Sequence, residues 1–160
     1  AFSLNRQQIV LGSKDHTIWV WDAQTGSTVL RLLKMHSFSV CSVAFSPNDE
    51  QITSGYMDRT ILVWDTVTGK VVAGPLEGHT HSIWSVCFSP NGKQIASGSQ
   101  DHTIRIWYAK TGDLLVGLLG GHMDGVTSIS FSLNGTHIAS GSHDMTVKLW
   151  DTMSGLICGH

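Results

Sequence analysis

Histidine, aspartate and tryptophan recur in this chain at a fixed interval. His36, His79 and His122 are 43 residues apart, as are Asp15, Asp58, Asp101 and Asp144, and Trp21, Trp64, Trp107 and Trp150. Imidazole and carboxylate are the groups of proton transfer and metal ligation, and their spacing decides between the two. The other histidines, His16, His81, His102, His137, His143 and His160, fall in turn segments or at the end of the sequence and have no metal-ligand spacing. Cys41, Cys87 and Cys158 lie far apart with no C-x-x-C pair, which predicts reduced, mostly buried thiols and neither a disulfide framework nor a zinc site. Asp22, Asp65 and Asp151 follow strand-like segments and read as turn-stabilising residues rather than calcium ligands. Asn91-Gly92 and Asn134-Gly135 read as hairpin turns and not phosphate loops, because no helix follows them. No metal and no cofactor is expected.

The elements that position these residues follow from composition. The 160 residues fit one ordinary domain, and 41% hydrophobic with 14% charged residues can bury a core. Of the 12 acidic residues only Glu50 and Glu77 are glutamate, and glycine numbers 17. Such a turn-rich balance argues against a helical bundle. A net charge of −2 argues against a strong grip on nucleic acid or an anionic membrane surface. No stretch approaches the roughly 20 apolar residues that span a bilayer. The first residues lack a secretory-signal pattern, so the reading is cytoplasmic.

The 43-residue interval is a true repeat. Phe2, Phe45, Phe88 and Phe131 share it, and aligning 36–78 with 79–121 without gaps gives 21 identities in 43 positions. In the third unit, Ser82 to Phe88 is rich in strand formers, Ser89-Pro90-Asn91-Gly92 turns the chain, and Gln94 to Gly98 is a second strand. Thr103 to Trp107 alternates as a third strand, Lys110-Thr111-Gly112 turns again, and Leu114 to Leu119 is a fourth. Four strands joined by hairpins make one small antiparallel sheet, which gains stability only by stacking against its neighbours.

The Gly-His openings Gly78-His79 and Gly121-His122, the Asp turn and the pairs Trp21-Asp22, Trp64-Asp65 and Trp150-Asp151 resemble the WD-repeat β-propeller family across essentially the whole chain. Two copies depart from the pattern, with Met35-His36 at one opening and Trp107-Tyr108 at one close. The resemblance implies an all-β propeller of four-stranded antiparallel blades, about four in number, with units 1–35 (partial), 36–78, 79–121 and 122–160 (last strand truncated). It further implies buried hydrogen-bonded tetrads, His36-Ser54-Asp58-Trp64, His79-Ser97-Asp101-Trp107 and His122-Ser140-Asp144-Trp150. The chemistry suits this role: an indole N–H only donates, a hydroxyl does both, a neutral imidazole does one of each, and the carboxylate fixes its tautomer. The first unit has Leu11 at the serine position and no preceding histidine. The same Ser, His and Asp are the members of a hydrolase triad, but that chemistry needs an exposed nucleophile and an oxyanion site. Threefold recurrence on strand positions suited to burial, with no nucleophile-elbow signature, favours structure over catalysis.

In the family, partners usually dock on the top face, near the start of each inner strand and just before the tetrad aspartate. Carried over by position, these residues are Ser39, Cys41 and Met57; Ser82, Trp84 and Gln100; Gly125, Thr127 and His143; and Lys14 in the first unit. Trp84 stands out, since Cys41 and Thr127 hold the same slot, so the fold does not require an aromatic there. Trp19, where the other units have Leu62, Arg105 and Lys148, reads as packing or a lateral contact. The expected function is a non-catalytic scaffold for protein or peptide, with no nucleic acid and no membrane partner. The alternative is a glycan- or small-ligand-binding propeller. The close mutual similarity of the units also resembles the WD arrays of fungal NACHT-type and heterokaryon-incompatibility signalling proteins, where the repeats are the recognition end. About 3.7 units suggest either part of a larger ring or two chains pairing through hydrophobic end blades.

Overall fold

The structure is a computed structural model that describes residues 1–32 and 38–159. Its regular elements are all strands. A first sheet contains β1 (Gln8–Gly12), β2 (Ile18–Asp22) and β3 (Thr28–Leu32), and Phe2 adds an isolated bridge to Ile9. The second contains β4 (Val40–Phe45), β5 (Gln51–Tyr56), β6 (Ile61–Asp65) and β7 (Val71–Leu76). The third contains β8 (Ile83–Phe88), β9 (Gln94–Ser99), β10 (Thr103–Tyr108) and β11 (Leu114–Gly120). The fourth contains β12 (Val126–Phe131), β13 (His137–Ser142), β14 (Val147–Asp151) and β15 (Ile157–Gly159). Each sheet keeps its strands in chain order with antiparallel neighbours, so the chain is an all-β array of about four propeller-type blades.

Both faces of an interior blade are covered, which explains why strands such as Ile61-Leu62-Val63-Trp64 are apolar without a break. Alternation still sorts them. Ile61 and Val63 join Ile83, Val86, Ile95 and Trp107 of the third blade in one core. Leu62 and Trp64 turn the other way, to Val10, Ile18 and Val20 of the first. A third core repeats the arrangement, with Ile104 and Ile106 against Val126, Ile138 and Trp150. Each blade therefore has a leading face, which carries the repeat tryptophan and, in the second to fourth blades, meets the blade before it. In the first three blades the trailing face meets the blade after it.

Small residues on the trailing face let the next inner strand approach. A Cβ on Gly55 would stand 2.7 Å from Ile83 Cγ2, and one on Gly98 would stand 2.7 Å from Val126 Cγ1. A serine series adds hydrogen bonds across the same seams. Ser42 Oγ accepts the Val86 N–H at 3.1 Å, and Ser85 Oγ accepts the Ile129 N–H at 3.2 Å.

The Asn-Gly turns work differently from a two-residue hairpin in which both residues are left-handed. Only Gly92 takes positive φ, at +69°, and its N–H reaches Ser89 O at 2.9 Å. Asn91 acts through its side chain, accepting from Ser89 Oγ at 2.8 Å and from the Lys93 N–H at 2.9 Å.

Candidate functional site

In the third and fourth blades the His, Ser, Asp and Trp side chains close into continuous hydrogen-bonded lines. The Trp107 indole N–H donates to Ser97 Oγ at 2.9 Å. Ser97 Oγ lies 2.8 Å from His79 Nε2, and His79 Nδ1 lies 2.8 Å from Asp101 Oδ2. The one proton order that satisfies every member has the serine hydroxyl donating to Nε2 and the Nδ1–H donating to the carboxylate. The fourth blade repeats this, with 2.7 Å from the Trp150 indole to Ser140 Oγ, 2.7 Å from Ser140 to His122 and 2.8 Å from His122 to Asp144.

The strands set these distances. Ser97 on β9 and Trp107 on β10 lie on the leading face of adjacent strands, while Asp101 sits in the turn between those strands. Burial alone would raise the Asp101 carboxyl. Hydrogen bonds from His79, Thr103 and the Thr80 N–H outweigh it and hold the acid well below the usual carboxylate range. At Asp144 burial is again outweighed, by Thr146, the Met123 N–H and His122, so this acid too lies well below its ordinary value. Ser97 is 0% exposed and Ser140 2%, with Trp107 and Trp150 closing over them. An oxygen so enclosed is not presented to a substrate carbonyl, so the Ser-His-Asp geometry is that of a structural network.

The second blade departs in one respect. Trp64 donates to Ser54 Oγ at 2.7 Å, but Ser54 in turn donates to the Tyr56 hydroxyl at 3.1 Å. Tyr56 occupies the slot of Ser99 and Ser142, and burial pushes its phenol up to about 12. Asp58 accepts from Thr60 Oγ1 at 2.6 Å. His36 and His160 lie outside the described residues. In the first blade Leu11 is 52% exposed, and Trp21 stacks on Trp19 with centroids 5.9 Å apart and planes 11° from parallel. The Trp19 indole donates to Thr17 Oγ1 at 2.9 Å.

Thr103 and Thr146 were not anticipated as members of the networks. Each donates to its aspartate at 2.6 Å. Thr17, Thr60, Thr103 and Thr146 share the 43-residue interval, so the signal was in the sequence, as it was for Ser42 and Ser85. Asp22, Asp65 and Asp151 do hold turns. Asp65 Oδ1 accepts the Val67 and Thr68 N–H groups and Thr68 Oγ1, and Asp22 and Asp151 repeat the arrangement. Where Tyr108 replaces the aspartate, Thr111 Oγ1 bonds Asp113 instead, at 2.7 Å. The expectation of mostly buried thiols is corrected: Cys41 and Cys158 are exposed and only Cys87 is partly buried, since Cys41 lies on the rim and Cys158 on the short outer strand β15.

The candidate docking residues are distributed along one rim. Ser39 and Ser82 are not free rim groups: Ser39 Oγ donates to Lys14 O at 3.3 Å and Ser82 Oγ to Met57 O at 3.2 Å, each tying a blade to the one before it. The third seam lacks that hydroxyl because the residue is Gly125. Trp84 takes the space, with its Cη2 only 2.9 Å from where a Cβ on Gly125 would stand. Its ring meets His143 edge-on at 5.2 Å. Trp84, Gln100, Gly125 and His143 thus come together, with Trp84 half-buried and Gln100 and His143 exposed. Met57 is 48% exposed in the second blade. Lys14, Cys41 and Thr127 are exposed, and Thr127 Oγ1 donates to Gly141 O at 3.1 Å. Among the described residues no three His, Cys, Asp or Glu side chains gather as a metal site.

Stacked antiparallel sheets, two of them pinned by a complete indole–hydroxyl–imidazole–carboxylate line, define a propeller-type repeat array. The model of the WD domain, G-beta repeat, matches residues 27–65, 70–108 and 114–151, and the chain belongs to that family. Each match takes the outer strand of one blade and the first three strands of the next, so every repeat covalently joins two blades. Domains of this family generally mediate protein–protein interaction as scaffolds. No curated protein matches the chain.

Proposed function

We propose that the chain is a non-catalytic recognition scaffold that captures a protein or peptide on the rim carrying Met57, Trp84, Gln100, Thr127 and His143. The observation that carries the reading is the seating of Trp84 on Gly125. A large aromatic is fixed at the mouth of a seam by a glycine where the second and third blades carry Ser39 and Ser82, with exposed polar and thioether side chains on either side. A rigid, half-exposed indole costs little entropy to use as an anchor. The NACHT-type resemblance supports a place as the recognition part of a larger, cytoplasmic signalling protein.

Panning a phage-displayed peptide library on the chain tests this. Enriched peptides should lose at least about tenfold in affinity on the double variant Met57→Glu, Thr127→Glu, whose parent residues are exposed and make no core contact. Enriched peptides that bind that variant equally well, or a glycan array that gives specific binding where peptides give none, would overturn the reading in favour of another surface or ligand class.

A further inference from the structure

Two arginines stand at the seam between the second and third blades, on the rim that carries Met57, and the fold requires neither. Arg59 follows the aspartate in the turn between β5 and β6, a slot that holds His16, His102 and Met145 in the other blades. All four take a positive φ, so the turn sets the backbone whichever side chain is present. Arg105 lies on the leading face of β10, where the equivalent residues are Trp19, Leu62 and Lys148. Asp58, Arg59, Thr60, Glu77, Gly78 and His79 line a cleft of about 270 Å³ at this interior seam. The Arg105 guanidinium packs beside the same Gly78, with Nη1 2.9 Å from where a Cβ on that glycine would stand.

Lys148 shows what a cation at this position does when it serves the structure. Its ammonium donates to Gly121 O at 2.7 Å, and Gly121 is the counterpart of Gly78. Arg105 has the corresponding loop beside it, yet among the described residues it makes no hydrogen bond and no ion pair, and its Nε is buried without an acceptor. Arg59 has one long contact, from Nε to Asp58 O at 3.4 Å. Polar groups drawn into a seam ordinarily find partners. A guanidinium is a planar fork of donors that matches a carboxylate or a phosphate. Two acids share the cleft and leave that fork unused. Asp58 Oδ1 accepts the Thr60 N–H at 3.1 Å and Thr60 Oγ1 at 2.6 Å. Glu77 is exposed and pairs with neither arginine, so water and salt screen its charge.

We propose that this cleft takes an oxyanion of the captured peptide, an acidic side chain or a phosphate ester, held between Arg59 and the Nη groups of Arg105. This rests on the rim being the capture surface. Met57 is two residues from Arg59, and Ser82 Oγ donates to Met57 O at 3.2 Å, so the cleft opens beside the anchors already described.

Titration of the ¹⁵N-labelled chain with sodium phosphate and, separately, sodium acetate, each against sodium chloride at matched ionic strength, reads the outcome in the Nε–Hε resonances of Arg59 and Arg105. Saturable shifts at both arginines are expected, and none with chloride. Arg59→Gln and Arg105→Gln, read at the remaining arginine, should each raise the dissociation constant by about fivefold or more, with amide resonances away from the seam unchanged. Glu77→Gln should lower it by about twofold. Arg105→Lys keeps the charge but not the fork. Its ammonium should turn to the Gly78 carbonyl, as Lys148 does to Gly121, and binding should stay as weak as in Arg105→Gln. Saturation by phosphate alone assigns a phosphorylated partner, and saturation by acetate as well assigns Asp or Glu. Arginine resonances that neither ion moves saturably, or an Arg105→Gln chain that binds as tightly as the parent, would overturn the proposal. The capture reading fails separately, through rim peptides that ignore Met57→Glu, Thr127→Glu while the ion titration still saturates.

Discussion

The third blade and the first are built from the same hairpins, and they differ in what their tryptophans touch. Trp107 is 2% exposed and ends a four-membered hydrogen-bonded line, whereas Trp21 is half-buried and stacks on Trp19. Three strands and the turns between them form in both, and the third blade adds the inner strand β8. Turn chemistry and β-branched alternation are therefore sufficient to make a blade, and the buried polar network is a separate layer that fixes it against its neighbour. The network needs a serine at the position of Ser97, a histidine ahead of the inner strand and a covering blade. The first blade substitutes leucine at the serine position, and its described leading face is uncovered.

Breaking the line in one blade and its counterpart in the other is the most direct way to challenge that contrast. Ser97→Ala removes the partner of two buried groups at once, the Trp107 indole N–H and His79 Nε2. Leaving a buried polar atom unpaired costs about 1–3 kcal/mol, so the expected loss is about 2–4 kcal/mol, read as a lowered urea midpoint and faster amide exchange in β8 to β10. Leu11→Ala at the equivalent position of the first blade, measured at dilutions where the chain is monomeric, should cost less than about 1 kcal/mol because the side chain is half in water already. Equal losses at the two positions would mean that the hydroxyl contributes no more than any side chain placed there.

Much of this architecture was legible in the sequence, and the limits of that reading have physical causes. The 43-residue interval of Trp21, Trp64, Trp107 and Trp150 and the turn residues between them fix the strands, because hairpin geometry is local. The tetrads of the third and fourth blades followed from the family resemblance, carried over residue by residue. Tyr56 in the second blade did not, since its entry into the serine line depends on which way its side chain points along the face of a single strand. The sequence places Ser39 and Ser82 among the docking positions, and that their hydroxyls bond the preceding blade's carbonyls is visible only once the blades stand side by side. Trp84 was legible as an outlier, but its seat on Gly125 joins residues 41 apart in different blades, a contact visible only once the sheets are stacked.

The seam between the third and fourth blades can be set against the uncovered face of the fourth through a pair of identical substitutions. Gly98→Ala drives a methyl group to 2.7 Å from Val126 Cγ1 and 3.1 Å from Ile129 Cγ2, both branched side chains held in a packed core. Overpacking of this kind costs about 1–3 kcal/mol. Gly141→Ala meets nothing within 4 Å, and the lost backbone freedom of the unfolded chain makes it neutral or stabilising by up to about 1 kcal/mol for the monomer. Thermal unfolding of the two variants at low concentration gives the comparison. A destabilised Gly141→Ala would show that the fourth blade's trailing face is already covered in solution.

The smallest effect lies at the one blade that lacks the aspartate after its tryptophan. The turn after Tyr108 has the same backbone closure as the turn after Asp65. The Gly112 N–H reaches Tyr108 O at 2.8 Å, and the Gly69 N–H reaches Asp65 O at 3.0 Å. Asp65 adds three acceptor contacts from one carboxylate oxygen, to the Val67 and Thr68 N–H groups and to Thr68 Oγ1. Tyr108→Asp should recreate them with Lys110 and Thr111. The gain is reduced because Thr111 Oγ1 must leave Asp113, to which it donates at 2.7 Å, and because the new carboxylate faces Asp113 across the turn. The expected result is a rise in melting temperature of no more than about 2 °C, increased when Asp113→Asn is added to remove the competing charge. A fall in the double variant would show that the Thr111–Asp113 contact is the better of the two ways to close this turn, and that the third blade lost nothing when tyrosine took the aspartate's place.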